Sequence, residues 1–248
     1  MIGVLQWGTL AVCCIITLGR LPSALRGENR SLFSIFALLT LAILLSIDAP
    51  YVAVDQALGG MNVANLVLRF VIFAAVFFLG FRMARGFGAD DARRLITGPI
   101  GIAAAAAASA AVVVVFLMMD TAGSSAGLAG IAAKDGHQAA LVECYGAAGR
   151  LYPAFIMLAL FPAMMRTLRS GLSVLVRSGA ALLALGAVAI SLSLLFPAIP
   201  PPLGFLRFVI NYTAVLCVVL GLVLFWMAKG LAKRGSKKQA SLTGVTWR

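Results

Sequence analysis

From Gly98 to Met119 the chain carries no charged side chain, and between Ile102 and Ala111 it is almost entirely alanine. An apolar run of about 20 residues is what a helix needs to cross the roughly 30 Å hydrocarbon core of a bilayer. Inside lipid every backbone N–H and C=O must be paired by protein, so only helices and closed barrels span. A barrel strand would alternate apolar and polar residues over short segments, and a continuous run excludes that pattern. Similar runs recur along the chain: of 248 residues, 62% are hydrophobic and 11% charged. The sequence therefore predicts an all-α fold, a polytopic transmembrane helix bundle.

Seven spans are expected. They cover Ile2 to Gly19, Ser31 to Ile47, Asn62 to about Phe81, Gly98 to Met119, Gln138 to Met165, Leu172 to Phe196 and Gly204 to Trp226. The first should stop at Arg20-Leu21-Pro22, because proline and the residue before it disfavour helix. Asp48 is positioned to cap a short interfacial helix with Pro50 in its first turn, halted by Gly59-Gly60. The alanine-rich span should be central and tightly surrounded, since small side chains permit the close packing that holds helices together in lipid. Thr121 to Gly136, rich in Gly, Ala and Ser, reads as a mobile loop. Pro153 and Pro162 should bend the long fifth helix. Residues 1–228 thus form a seven-helix domain, and 229–248 a polybasic tail.

Lys and Arg set the orientation. Sixteen of the 20 basic residues fall in alternate connections and the tail: Arg20, Arg26 and Arg30; Arg82, Arg85, Arg93 and Arg94; Arg166, Arg169 and Arg177; then Lys229, Lys233, Arg234, Lys237, Lys238 and Arg248. By the positive-inside rule this side is cytoplasmic, which puts the N-terminus outside and the C-terminus inside. The first apolar run lacks a preceding Lys or Arg and a small-x-small cleavage site, so it is expected to remain as a helix.

The net charge of +12 flanks apolar runs rather than forming a basic-aromatic motif, so nucleic-acid binding is not expected. Cys13, Cys14, Cys144 and Cys217 have no spacing that reads as a disulfide framework. One histidine, His137, and the absence of a Cys/His cluster leave no ligand set for zinc or haem, and no cofactor is expected. No nucleophile with a base, paired intramembrane acids, HExxH or P-loop is present, so the expectation is a protein without enzymatic activity.

Chemistry is concentrated in a few polar groups on spanning helices. Asn62, Asn65 and Arg69 recur at helical spacing and share one face. Arg69, Arg150 and Arg207 fall at the outer ends of the third, fifth and seventh helices, with Asn211 four after Arg207 and Asp48, Tyr51, Tyr152 and Tyr212 at similar depth. Three converging guanidiniums would bind an anion, because arginine forks match carboxylate and phosphate bidentately. Alternatively, each arginine reaches the headgroups separately or pairs with Asp48, Asp55, Asp120 or Glu143. Asn62 could equally cap its helix. Lys229, Lys233, Arg234, Lys237 and Lys238 form a juxtamembrane cluster expected to contact anionic lipid, at about 1 kcal/mol per charge near the surface.

Arg20-Leu21-Pro22, Arg26, Arg30, Pro50, Asp55, Gly59-Gly60, Asn62 and Asn65 together resemble the first quarter of a family of actinobacterial integral membrane proteins labelled as transporters. In that family seven helices precede a longer cytoplasmic part; here the tail follows them. The resemblance implies a multi-pass protein of the bacterial inner, plasma membrane, engaged in transport. The expected function is binding of a small anion or lipid headgroup in an outer-half cavity lined by Arg69, Arg150, Arg207, Asn65, Asn211, Asp48, Tyr152 and Tyr212, for transport or sensing. The alternative is a non-catalytic interaction subunit, with structural arginines, that joins a homo-oligomer or another membrane protein.

Overall fold

The computed structural model describes residues 2–27, 30–199 and 204–243; the side chains of Asn211, Tyr212, Lys229, Lys233, Arg234, Lys237 and Lys238 lie outside the described part. Ten α-helices and no strand occur among the described residues. They are α1 (Ile2–Leu25), α2 (Arg30–Leu44), α3 (Asp48–Ala57), α4 (Val63–Gly86), α5 (Asp90–Thr97), α6 (Pro99–Met118), α7 (Ala129–Ala132), α8 (Gly136–Leu168), α9 (Val174–Leu192) and α10 (Gly204–Thr243). A 3-10 turn over Ala126–Leu128 leads into α7, and another over Ser193–Ala198 prolongs α9.

Four helical segments are long and apolar enough to cross a membrane: α4, α6, α8, and α9 with its 3-10 extension. A fifth is formed if α2 and α3 count as one broken span, although the chain turns by 93° between them. This turn agrees with α3 being a separate short helix, as its Asp-Ala-Pro start and Gly-Gly end suggest.

Helix α8 is the hub, packing against α4, α5, α6, α7 and α9. Its Tyr145, Ile156, Leu160 and Met164 are fully buried and join Ile96 of α5, Val112 of α6 and Leu183 of α9 in one core. Close approach depends on missing side chains. A Cβ on Gly80 of α4 would lie 2.5 Å from Ile156, and one on Gly221 of α10 would lie 2.7 Å from Leu183 and 3.0 Å from the Gly179 carbonyl of α9. Water exclusion does not drive helix association in lipid, so such close packing is what holds these pairs.

Several expectations need correction. Helix α1 does not stop at Pro22 but continues to Leu25. Gly27, at φ 83°, ends it, with its N–H donating to the Ala24 carbonyl, because glycine enters the left-handed region without steric penalty. Helix α6 is the least buried of the four span segments. Gly101, Ala108, Val112 and Phe116 are buried, while Ile102, Ala103, Ala106, Ala107 and Ala110 are exposed. Its small side chains therefore serve one packed face, and the helix is peripheral rather than central. Pro153 and Pro162, where the sequence expects bends, both lie inside the continuous helix α8. The segment following α6 is tethered by the contacts described next, and Leu128 and Ile131 within it are buried.

Candidate functional site

A polar knot closes the end of the bundle where α3 meets α4. Gly59, Gly60 and Asn62 all have positive φ, at 103°, 68° and 56°, so the chain reverses sharply using residue types that tolerate that region. The reversal folds the backbone over Asp55, whose side chain is fully buried. The Asp55 carboxylate accepts from the Asn62 N–H at 2.9 Å, the Ala64 N–H at 3.0 Å and the Ser124 hydroxyl. Asn62 occupies the N-cap position of α4, but its side chain does not cap. Its Oδ1 instead accepts from the Tyr51 hydroxyl at 2.8 Å and the Ser125 N–H at 2.9 Å, while Nδ2 donates to the carbonyls of Thr121 at 3.0 Å and Gly123 at 2.7 Å. One side chain thereby ties α3, α4 and the segment after α6 together, and every polar group of its amide is used.

The arginines lie beside this knot. Asn65, 4% exposed, sits next to Tyr51, and its Oδ1 has no hydrogen-bond partner among the described residues. One turn later Arg69 places its guanidinium 5.0 Å from the ring centroid of the fully buried Tyr145. The approach is possible because Gly149 of α8 has no side chain: a Cβ there would lie 2.8 Å from Arg69 Nη1. Among the described residues, Arg69 has no acidic partner, and Arg69 Nε and the Tyr145 hydroxyl are buried without a hydrogen bond.

Arg150 lies over the Phe196 ring at 4.5 Å and makes one long bond, 3.5 Å, to the Ser193 carbonyl. Its electrostatic neighbours are Arg69, Glu143 and Arg207. Glu143 is engaged by Arg207, which also donates to the Ile199 carbonyl at 3.1 Å. Three positive charges from three helices thus share one negative charge, and the latter is already paired. Such an excess in a partly desolvated setting favours an added anion.

Of the other anticipated residues, Asp48 and Tyr152 make no hydrogen bond or ion pair with these arginines. Asp48 is exposed at the first helical position of α3; Ile47 holds the cap position, so Asp48 does not cap, and it has no polar partner among the described residues. Tyr152, two residues after Arg150, is 3% exposed and packs on Phe73 at 5.5 Å and Phe155 at 6.2 Å. Asn211 and Tyr212 belong to α10, as does the basic cluster from Lys229 to Lys238, and those side chains lie outside the described residues. Tyr145, Gly149 and Phe196 were not anticipated. The small-residue run Gly146-Ala147-Ala148-Gly149 was the available signal that another side chain could approach α8 closely.

Comparisons with protein families, with curated proteins and with solved structures find no match to this chain.

Proposed function

We propose that this chain is a seven-span membrane protein, N-terminus outside and C-terminus cytoplasmic, that binds a small anion or lipid headgroup at Arg69, Arg150 and Arg207 for transport or sensing. The four candidate spans are the firm part of that topology; α2, which with α3 makes the fifth candidate, and α1 and α10, each containing a shorter apolar stretch, Cys13–Pro22 and Leu216–Phe225, would make up seven. The observation that carries the site is the pairing imbalance: among the described residues Arg69 and Arg150 lack an acid of their own, and the Tyr145 hydroxyl beside Arg69 is an unpartnered donor. An anion held between the two forks would neutralise the excess and accept from Tyr145.

The test is thermal melting of the purified protein with and without phosphate and carboxylate anions, for wild type and for Arg69→Gln, Arg150→Gln and Arg207→Gln. A bound anion stabilises the folded state by about 2.7 kcal/mol at a hundredfold excess over its Kd, and that gain should shrink in Arg69→Gln and Arg150→Gln. If no anion raises the wild-type melting temperature and the three substitutions merely destabilise, the binding reading fails. A second reading has its own support. The exposed Ala103, Ala106, Ala107 and Ala110 of α6 would allow a close helix from another protein or a second copy, and in that reading the arginines are structural.

A further inference from the structure

A groove begins beside the arginine cluster, at Phe70, the residue after Arg69. Arg69 rests against Gly149; four residues further along α4, Phe73 meets Tyr152, three residues further along α8. The two helices therefore run side by side in the same direction, and Phe73 lies about 6 Å along the helix axis from Arg69. Phe70, Phe73, Phe77, Ile102, Ala105 and Tyr152 line the groove, which has a volume of about 400 Å³. Its wall on α4, from Phe70 to Phe78, extends about 12 Å. Its lining is almost wholly apolar, and its arginine end has the excess positive charge.

We infer that the ligand of the arginine cluster is a membrane lipid with a phosphate headgroup, bound with the phosphate between Arg69 and Arg150 and an acyl chain in this groove. The inference rests on the anion-site reading above and narrows it to an amphiphile arriving laterally from the leaflet. The two halves make different contributions. A tail that leaves the bilayer for the groove exchanges one apolar surrounding for another, so it adds packing but little hydrophobic gain. Affinity comes from charge-assisted hydrogen bonds to phosphate, whose geometry suits the guanidinium fork. The groove selects which molecules can present a phosphate at that depth, because a free ion has no use for an apolar channel.

The experiment places the full chain in phosphatidylcholine nanodiscs, with or without phosphatidic acid of matched chains, and separately with inorganic phosphate. Melting temperature is followed for wild type, Arg69→Gln, Ala105→Phe and the double change Lys237→Gln with Lys238→Gln. Phosphatidic acid should raise the wild-type melting temperature more than inorganic phosphate does. Arg69→Gln should weaken its apparent affinity by roughly tenfold to a hundredfold, the loss of charge-assisted bonds. Ala105→Phe, which fills the groove, should abolish the lipid effect alone, and the tail change should preserve it.

If inorganic phosphate gives the full rise and Ala105→Phe changes nothing, the lipid inference is overturned while the anion site stands. A rise that survives Arg69→Gln but disappears with the tail lysines would assign it to surface electrostatics and also overturn the inference. No rise with either phosphate source overturns the lipid inference, and no rise with carboxylate anions as well sinks the anion site. Should Ala105→Phe fail to fold, Ala74→Leu and a phosphatidic acid with chains too short to occupy the groove replace it. Undiminished stabilisation by both would refute the groove's role.

Discussion

Asn62 carries more of the architecture than any other single side chain among the described residues. Its amide makes four hydrogen bonds, and its backbone sits at φ 56°, where alanine is disfavoured. Asn62→Ala should therefore cost about 3–5 kcal/mol, the range for breaking a buried network, in reversible unfolding in detergent. A loss smaller than about 1 kcal/mol would contradict this account of the knot. In the sequence Asn62 reads as a cap or as a member of the Arg69 face. Its partners at Thr121, Gly123 and Ser125 lie some sixty residues away, and no local spacing encodes a contact of that kind. Arg69 was more legible, because helical period and charge count together place it level with Arg150 and Arg207. Neither signal reveals Tyr145 or Gly149, which set where its guanidinium rests.

The elements that sequence defines best are those long enough for hydrophobicity alone to decide them, and α4, α6, α8 and α9 fall within a few residues of expectation. Helix α5 escaped because its eight residues are amphipathic and charged, and they read as part of an arginine-rich connection; Asp90 at its start pairs with Arg93 at 3.2 Å. The segment between α6 and α8 was misread for a related reason. Composition suggested mobility, but its order comes from tertiary bonds. Lys134 donates to the Asp120 carboxylate at 2.7 Å and to the Asp120 and Ala122 carbonyls. The hydrogen bond from Lys134, aided by the Ala122 N–H, holds the Asp120 carboxyl below the usual carboxylate range. A depressed pKa contributes stability that is complete above the unfolded value, about 3.9, and is lost as pH falls through the folded value. Cleavage of the 121–135 segment by an acid-active protease should therefore accelerate as pH drops below that range. Lys134→Met should raise cleavage at higher pH and flatten the profile; an unchanged profile would remove the bridge from the account.

At the scale of the whole molecule, the charge asymmetry gives the most direct prediction. A reporter active only in the cytoplasm, fused after Arg248, should be active, and one active only outside should be silent; the reverse result would invert the proposed topology. The bundle class was legible because bilayer thickness imposes a length on apolar runs. The peripheral position of α6 was not, since alanine serves a crowded helix and a lipid-facing one equally well. The buried Asp55 carboxylate has a further consequence for the order in which the chain matures. Its donors come from residues 62, 64 and 124, so a chain emerging from its N-terminus brings two of them almost at once and the third only after the residues of α4, α5 and α6 have been synthesised. The carboxylate can therefore be fully satisfied only once the chain has been made past Ser124; before that point it can hold at most two of its three donors.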